Sequence, residues 1–228
     1  MNKSSIFKNL EDPLGVLRKG AEELKIFLNE GQIKSFALYL KELNVWNKRI
    51  NLIGRRNDHE IVIKDFLDSL MISKYLPLAS TLLDIGSGAG FPGIPIRISR
   101  QDLEVGLLEI REKRVSFLKH MIRLLRFKDL GVISAGDARF KNHFDFSVSR
   151  AFGATSKFAD VAEPYLVKGG IVLAMKGKKG EEELRQECSL LEKKGWGIAF
   201  KDRMPLPIVG HERVIFGLKK IVSRETSL

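Results

Sequence analysis

Cysteine is almost missing from this 228-residue chain: Cys188 stands alone. A single thiol excludes a disulfide framework and any cysteine-built zinc site, and it fits a reducing, cytoplasmic compartment. The four histidines (His59, His120, His143, His211) form no H-x-H or H-E-x-x-H pair, so no metal centre is expected. No apolar run approaches the ~18 residues of a membrane span. The opening MNKSSIFKNLEDP turns polar too early for a secretory leader. Also missing is any G-x-x-x-x-G-K-[ST] phosphate loop, which argues against ATP or GTP hydrolysis. Acidic residues are in deficit, 28 against 39 Lys and Arg, for a net charge of +11. The excess is +3 over residues 1–79 and +4 over each of 80–150 and 151–228. Positive charge therefore belongs to the folded body and not to a tail. It is either a solubilising surface or the footprint of a polyanionic partner, and only a site can decide between them.

Two textures divide the chain. Up to residue 79 the pattern is helical: Leu24, Phe27 and Leu28, then Phe36, Tyr39, Leu40, Leu43 and Trp46, recur at spacings of three to four. The helical pattern resumes from Ile61 to Leu70 and stops before Pro77. From residue 80, short apolar runs (81–85, 103–108, 131–134, 144–148 and 171–175) alternate with amphipathic segments such as 113–125. Strands buried on both faces and alternating with helices predict a parallel, doubly wound α/β sheet. The last two runs, 196–200 and 213–218, have no helix between them, so an antiparallel pair at the sheet edge is expected. Seven strands ending in such a pair, behind an N-terminal helical lobe (1–79), outline a class I S-adenosylmethionine-dependent methyltransferase domain over 80–228.

The sharpest local signal follows the first strand: Asp84-Ile85-Gly86-Ser87-Gly88-Ala89-Gly90-Phe91-Pro92-Gly93. Glycines here permit a tight turn and a close backbone approach to a ligand. The spacing is G-x-G-x-G, with Phe91 where a dinucleotide fingerprint has its third glycine. Glu109, 25 residues after Asp84, follows the second strand, where a carboxylate can accept both ribose hydroxyl protons. Asp137 follows the third strand, where it can accept from an adenine amino group while the Ala138 N–H donates to the ring. Three acids at three strand ends favour a nucleoside ligand over a structural turn. S-adenosylmethionine fits best, having ribose, adenine and a cationic sulfonium but no phosphate. Cofactor-binding candidates are Asp84, Gly86, Ser87, Gly88, Gly90, Phe91, Glu109, Asp137, Ala138 and Arg150.

The string DIGSGAGFPGIP at 84–95 closely resembles the signature of the ribosomal small-subunit methyltransferase G family, also called glucose-inhibited division protein B. The chain also resembles that family at Trp46-Asn47 with Asn51-Leu52 (W-N-x-x-x-N-L) and at Leu67-Asp68-Ser69-Leu70 (L-D-S-L). Further resemblances are Lys113-Arg114 with Phe117-Leu118 (K-R-x-x-F-L), Ser149-Arg150-Ala151-Phe152 (S-R-A-F), Lys176-Gly177 and Arg213. These matches run in order from about residue 43 to 220. Two positions depart from the pattern. Asp65 stands where the family usually has His in H-x-x-D-S-L, and Gly136-Asp137-Ala138 replaces its R-x-E. The resemblance implies S-adenosylmethionine-dependent methylation of guanine N7 in small-subunit (16S) ribosomal RNA. It also implies cofactor contacts from Gly86, Phe91, Asp137, Ala138 and Arg150.

The residues are compatible with that chemistry. Guanine N7 carries a lone pair, so its methylation needs alignment and exclusion of water and no general base. Cys188 lies in a helical segment away from the strand ends, which disfavours a covalent-cysteine route. No Asn-Pro-Pro-Tyr follows the fourth strand, which disfavours exocyclic amine methylation. Arg150 and Lys176, ending strands four and five, are the candidate catalytic residues, able to reach guanine O6 or a phosphate. Lys176, Lys178, Lys179 and Arg213, with Lys48, Arg49, Arg55 and Arg56, are the RNA-binding candidates. Trp46 and Phe91 are either packing residues or platforms for a flipped base. Two other readings stay open on the residues alone. One is the same fold acting on a protein or small molecule; the other is a non-catalytic RNA-binding protein. The chain is expected to be a monomer.

Overall fold

Asp12 accepts hydrogen bonds from the N–H groups of Leu14 (2.9 Å) and Gly15 (3.3 Å), and Pro13 takes the first helical position, where no N–H partner is needed. Together they start α1 (Pro13–Glu23) in a computed structural model that describes residues 12–54, 57–150 and 153–221. Asn29 opens α2 (Glu30–Ile50) through a reciprocal capping box with Gln32, and Asn51, left-handed at φ 49°, closes it. The Gln32 amide also donates to the Ile98 and Ser99 carbonyls at 3.0 Å, tying this lobe to the sheet domain. Next, α3 (Asp58–Ile61) runs directly into a π-helix (Val62–Leu67) and a last turn, α4 (Asp68–Leu70). The apolar spacing predicted one helix here; the widened π turns were not announced by it.

The sheet contains β1 (Thr81–Ile85), β2 (Glu104–Leu108), β3 (Leu130–Ile133), β4 (Phe144–Arg150), β5 (Leu166–Gly177), β6 (Trp196–Pro205) and β7 (Glu212–Lys220). Their order is β3-β2-β1-β4-β5-β7-β6; the first five are parallel, and β7 runs antiparallel to both β5 and β6. Helices α5 (Gly93–Ser99), α6 (Glu112–Leu124), α7 (Thr155–Ala162) and α8 (Gly180–Lys193) cover its faces. The expected doubly wound sheet with an antiparallel terminal pair is therefore present.

Two strands are at least twice as long as their apolar runs. β5 begins at Leu166, with Gly169 at φ 84° and a register shift opposite Phe144 and Phe146, so its polar, glycine-bearing start hid it. β6 continues to Pro205 because it lies at the sheet edge, where a residue without an N–H breaks no ladder. One buried core joins α1 and α2 (Leu17, Phe36, Tyr39) and the π-helix (Phe66) to α5 (Ile94, Ile96), α6 (Phe117, Leu118) and the sheet (Leu82, Val148). The boundary at residues 79 and 80 is thus a change of texture with no gap in packing. A second core under α7 and α8 includes Leu83, Phe158, Trp196 and Phe216. No described helix is long and apolar enough to cross a membrane.

Candidate active site

The direction of winding reverses at β1, which lies between β2 and β4, and the crevice outside the carboxyl ends of such strands is where ligands bind in open α/β sheets. The glycine loop fills that position. Gly86, Gly88 and Gly90 have φ of 72°, 59° and 98°, a region that residues with a Cβ seldom enter. The Gly86 N–H donates to the Leu108 carbonyl at 2.8 Å, holding the turn against β2. At Gly90 a Cβ would also lie 2.4 Å from Ile94 Cδ1. Gly86 is exposed, whereas Ser87 is buried and turns its hydroxyl back to the Asp84 carbonyl at 2.8 Å. From α2, the Tyr39 hydroxyl donates to the Ala89 carbonyl at 2.6 Å. Burial, reinforced by the nearby Asp65 charge, raises the Tyr39 pKa well above its ordinary value, so it remains a donor.

Of the three strand-end acids, Asp84 departs from its expected place. It is fully buried beneath the loop and accepts the Gly93 N–H at 2.9 Å, so it braces the loop from below and does not line the crevice. Burial pushes its pKa up to about 7, despite the Gly93 N–H and the Arg150 charge pulling it down. Glu109 does meet the loop: its Oε2 accepts the Gly88 N–H at 3.0 Å, and its Oε1 accepts the N–H groups of Ile110 (2.8 Å) and Arg111 (2.9 Å). Oε1 is thereby saturated, while Oε2 has only the distant Arg114 guanidinium, 3.5 Å away, as a further contact among the described residues. Asp137 caps a short 3₁₀ turn beginning at Ala138. The guanidinium of Arg139, two residues on, holds it below the usual carboxylate range.

Arg150, at the end of β4, is clamped. Its guanidinium donates to Asp65 Oδ1 and to the Lys64 carbonyl, both at 2.6 Å, and lies 3.5 Å from Asp68 Oδ2. It also covers the ring of Phe91 at 4.9 Å. Lys64 and Asp65 are adjacent in the π-helix, so one guanidinium reaches a backbone carbonyl and a carboxylate of the same turn. Burial opposes the arginine's charge, yet Asp65 and Asp68 together keep its pKa above the ordinary value. Arg213, at the start of β7, binds the other side of Asp68 (Nε to Oδ1, 2.6 Å).

These groups open onto a cavity of about 830 Å³ at the ends of β4 and β5. Lys64, Arg150, Lys176 and Arg213 line it against Asp68, Glu183 and Glu187. Lys176 donates to the Gly153 carbonyl and pairs with Glu183 at 3.2 Å. Glu187 accepts the N–H groups of Thr155 and Ser156, at 2.9 and 2.7 Å, capping α7. Lys178 and Lys179 form the exposed turn after β5. Lys48 and Arg49 line a separate groove with Lys113, and Arg55 and Arg56 fall outside the described residues. Of the two candidate stacking platforms Phe91 is buried and Trp46 partly buried. Phe91 is buried between Arg150 and Tyr39, and Trp46 packs on Phe117 and His120. Tyr39, Asp65, Asp68 and Glu183 were not singled out as site residues. For the two aspartates a signal existed: they stand among Val62, Ile63, Phe66, Leu67 and Leu70, and an acid buried with such neighbours needs a cationic partner.

Sheet order, glycine turn and the acid after β2 define the class: a class I S-adenosylmethionine-dependent methyltransferase fold. A methyltransferase from Pyrococcus furiosus superposes with a TM-score of 0.57 at 17% identity, covering 82% of this chain and 98% of that one. TYW2 of M. jannaschii, solved in complex with AdoMet, superposes at 0.50 and 18% identity, covering 86% and 80%. The family model described as rRNA small subunit methyltransferase G matches residues 32–199. Ribosomal RNA small subunit methyltransferase G of Geotalea uraniireducens is 38% identical over 210 residues, 90% of this chain and 96% of that one. Its namesake in Geobacter metallireducens is 39% identical over 210 residues, with the same coverage. This chain belongs to the rRNA small subunit methyltransferase G family.

Proposed function

We propose that this protein transfers the methyl group of S-adenosylmethionine to N7 of a guanine in small-subunit (16S) ribosomal RNA, as a monomer in the cytoplasm. The observation that carries this reading is one of adjacency. Arg150 covers Phe91 of the glycine loop and also lines the cavity, so a nucleoside on the loop and a base in the cavity would meet at one side chain.

The residues present fit the cofactor. Gly86 and Gly88 offer backbone without side chains, and Glu109 Oε2 retains acceptor capacity for a ribose hydroxyl. Ile110, directly after Glu109, is 75% exposed, an apolar face beside the ribose position suited to an adenine ring. Asp137 and Ala138 would take the adenine edge, which requires Arg139, itself largely exposed, to swing off Asp137. When bound, S-adenosylmethionine supplies an electrophilic methyl on a cationic sulfur.

The chain's own part is alignment. Guanine N7 carries its own lone pair and would take the methyl as the methyl–sulfur bond breaks, the positive charge passing to the purine and a neutral thioether leaving, so the site needs no base. Lys176 donating to O6 would orient the ring and leave N7 open. Arg150 positions the loop against the cavity, while Arg213, Lys178, Lys179, Lys48 and Arg49 draw in the RNA backbone. The test is to incubate the protein with methyl-labelled cofactor and either naked small-subunit RNA or the intact subunit, then map the label. One labelled guanine that becomes a borohydride/aniline cleavage site is expected. No label in either RNA form, or label on another base, overturns the assignment.

A further inference from the structure

The cavity's three carboxylates are not equivalent. Asp68 is held by Arg213 and Arg150, and Glu187 by two backbone N–H groups at the start of α7. Glu183 is half exposed, and its partner in the cavity wall is Lys176 at 3.2 Å, whose own side chain is mostly buried. This pairing is built by the backbone. At Gly180, the first residue of α8, a Cβ would lie 2.3 Å from Lys176 Cβ, so only glycine lets the start of α8 press against the end of β5. The first turn of α8 then brings Glu183 alongside the lysine.

An ammonium donor beside a carboxylate acceptor is the complement of one base edge. Guanine presents, along its Watson–Crick edge, the O6 acceptor and then the N1–H and N2–H donors; adenine presents a donor at position 6 and an acceptor at N1. Enzymes acting on an extruded base commonly read that edge. We infer that Glu183 determines the base specificity of the site, accepting from guanine N1–H and N2–H while Lys176 donates to O6. This rests on the methyltransferase reading above and names the group that selects the base. Adenine in the same pose would set its amino group against the lysine and its N1 lone pair against the carboxylate. The grip also leaves N7, on the far side of O6, free to react.

The experiment compares wild type and Glu183→Gln on the small-subunit RNA substrate, once its labelled guanosine is mapped. A second substrate carries inosine, which lacks the N2 amine, at that position. Wild type should prefer guanosine over inosine by about tenfold to a hundredfold in kcat/KM. Glu183→Gln should lose a similar factor on guanosine and little on inosine, collapsing the preference, with cofactor affinity by calorimetry and the melting midpoint unchanged. If Glu183→Gln keeps the wild-type guanosine-to-inosine ratio, Glu183 does not read the base and this inference fails alone. If wild type leaves no methyl on guanine N7, the methyltransferase reading and this inference fall together.

Discussion

A carboxylate sealed beneath a loop behaves differently from one that lines it, and Asp84 shows how. Its Oδ1 is buried with no hydrogen-bond partner among the described residues, and its pKa rises from 3.8 to about 7. Between those values the folded state retains a proton that the unfolded chain has released. Asp84 therefore makes stability fall as pH rises from about 4 to about 7, and above that the loss is complete. Asp84→Asn keeps an oxygen for the Gly93 N–H and removes the charge. The melting temperature of this variant relative to wild type should climb between pH 4.5 and about pH 7 and level off above that. Parallel melting curves across that range would show that burial of the charge costs nothing. The same residue scale explains Tyr39, whose neutral hydroxyl ties α2 to the glycine loop.

At the scale of elements, the π-helix is the hinge of the arrangement. Lys64 and Asp65, adjacent in it, present a carbonyl and a carboxylate to the same guanidinium, so β4, the π-helix and the loop are joined through Arg150. Asp65 is fully buried and stands where the resembling family usually has His. Removing one partner of a buried ion pair strands the other, at a cost of ~3 kcal/mol. Asp65→Ala should therefore lower stability by about that amount in urea unfolding, and Asp65→Asn, which still accepts a hydrogen bond, by less. An Asp65→Ala variant as stable as wild type would mean Asp68 and the Lys64 carbonyl suffice to hold Arg150. Similar logic applies to α8, whose start is fixed by Gly180 and whose Glu187 caps α7, so one helix sets two walls of the cavity.

Over the whole molecule, the +11 charge divides into positions with different work. Arg150 and Arg213 are bound by Asp65 and Asp68, and Lys176 by Glu183, so the charge inside the cavity is largely compensated. Lys48 and Arg49 are exposed beside Lys113 in a second groove of about 840 Å³, with Asn44, Asn47 and Asn51. Exposed cations of this kind act on a polyanion by releasing counterions. In RNA binding measured against salt, Lys48→Ala and Arg49→Ala should each reduce the slope of log K on log salt by about 1, with cofactor affinity intact. An unchanged slope in both would take this groove out of the RNA path.

How much was legible follows from the range of each interaction. The chain by itself determined the alternation of strands and helices, the antiparallel end of the sheet, the glycine turn and the acid after β2. Those features are written in local periodicity and in φ requirements that few residues other than glycine meet. Glu109 was found from spacing alone, because strand ends in a doubly wound sheet converge on one crevice. Only the tertiary structure decided that Asp84 sits under the loop and not in it, that Phe91 is covered by Arg150, and that Glu183 faces Lys176. Whether a carboxylate ends up sealed, clamped or open depends on side chains brought from other elements, as far as Arg213 from Asp68 across 145 positions. Its spacing from the nearest glycine carries no record of them.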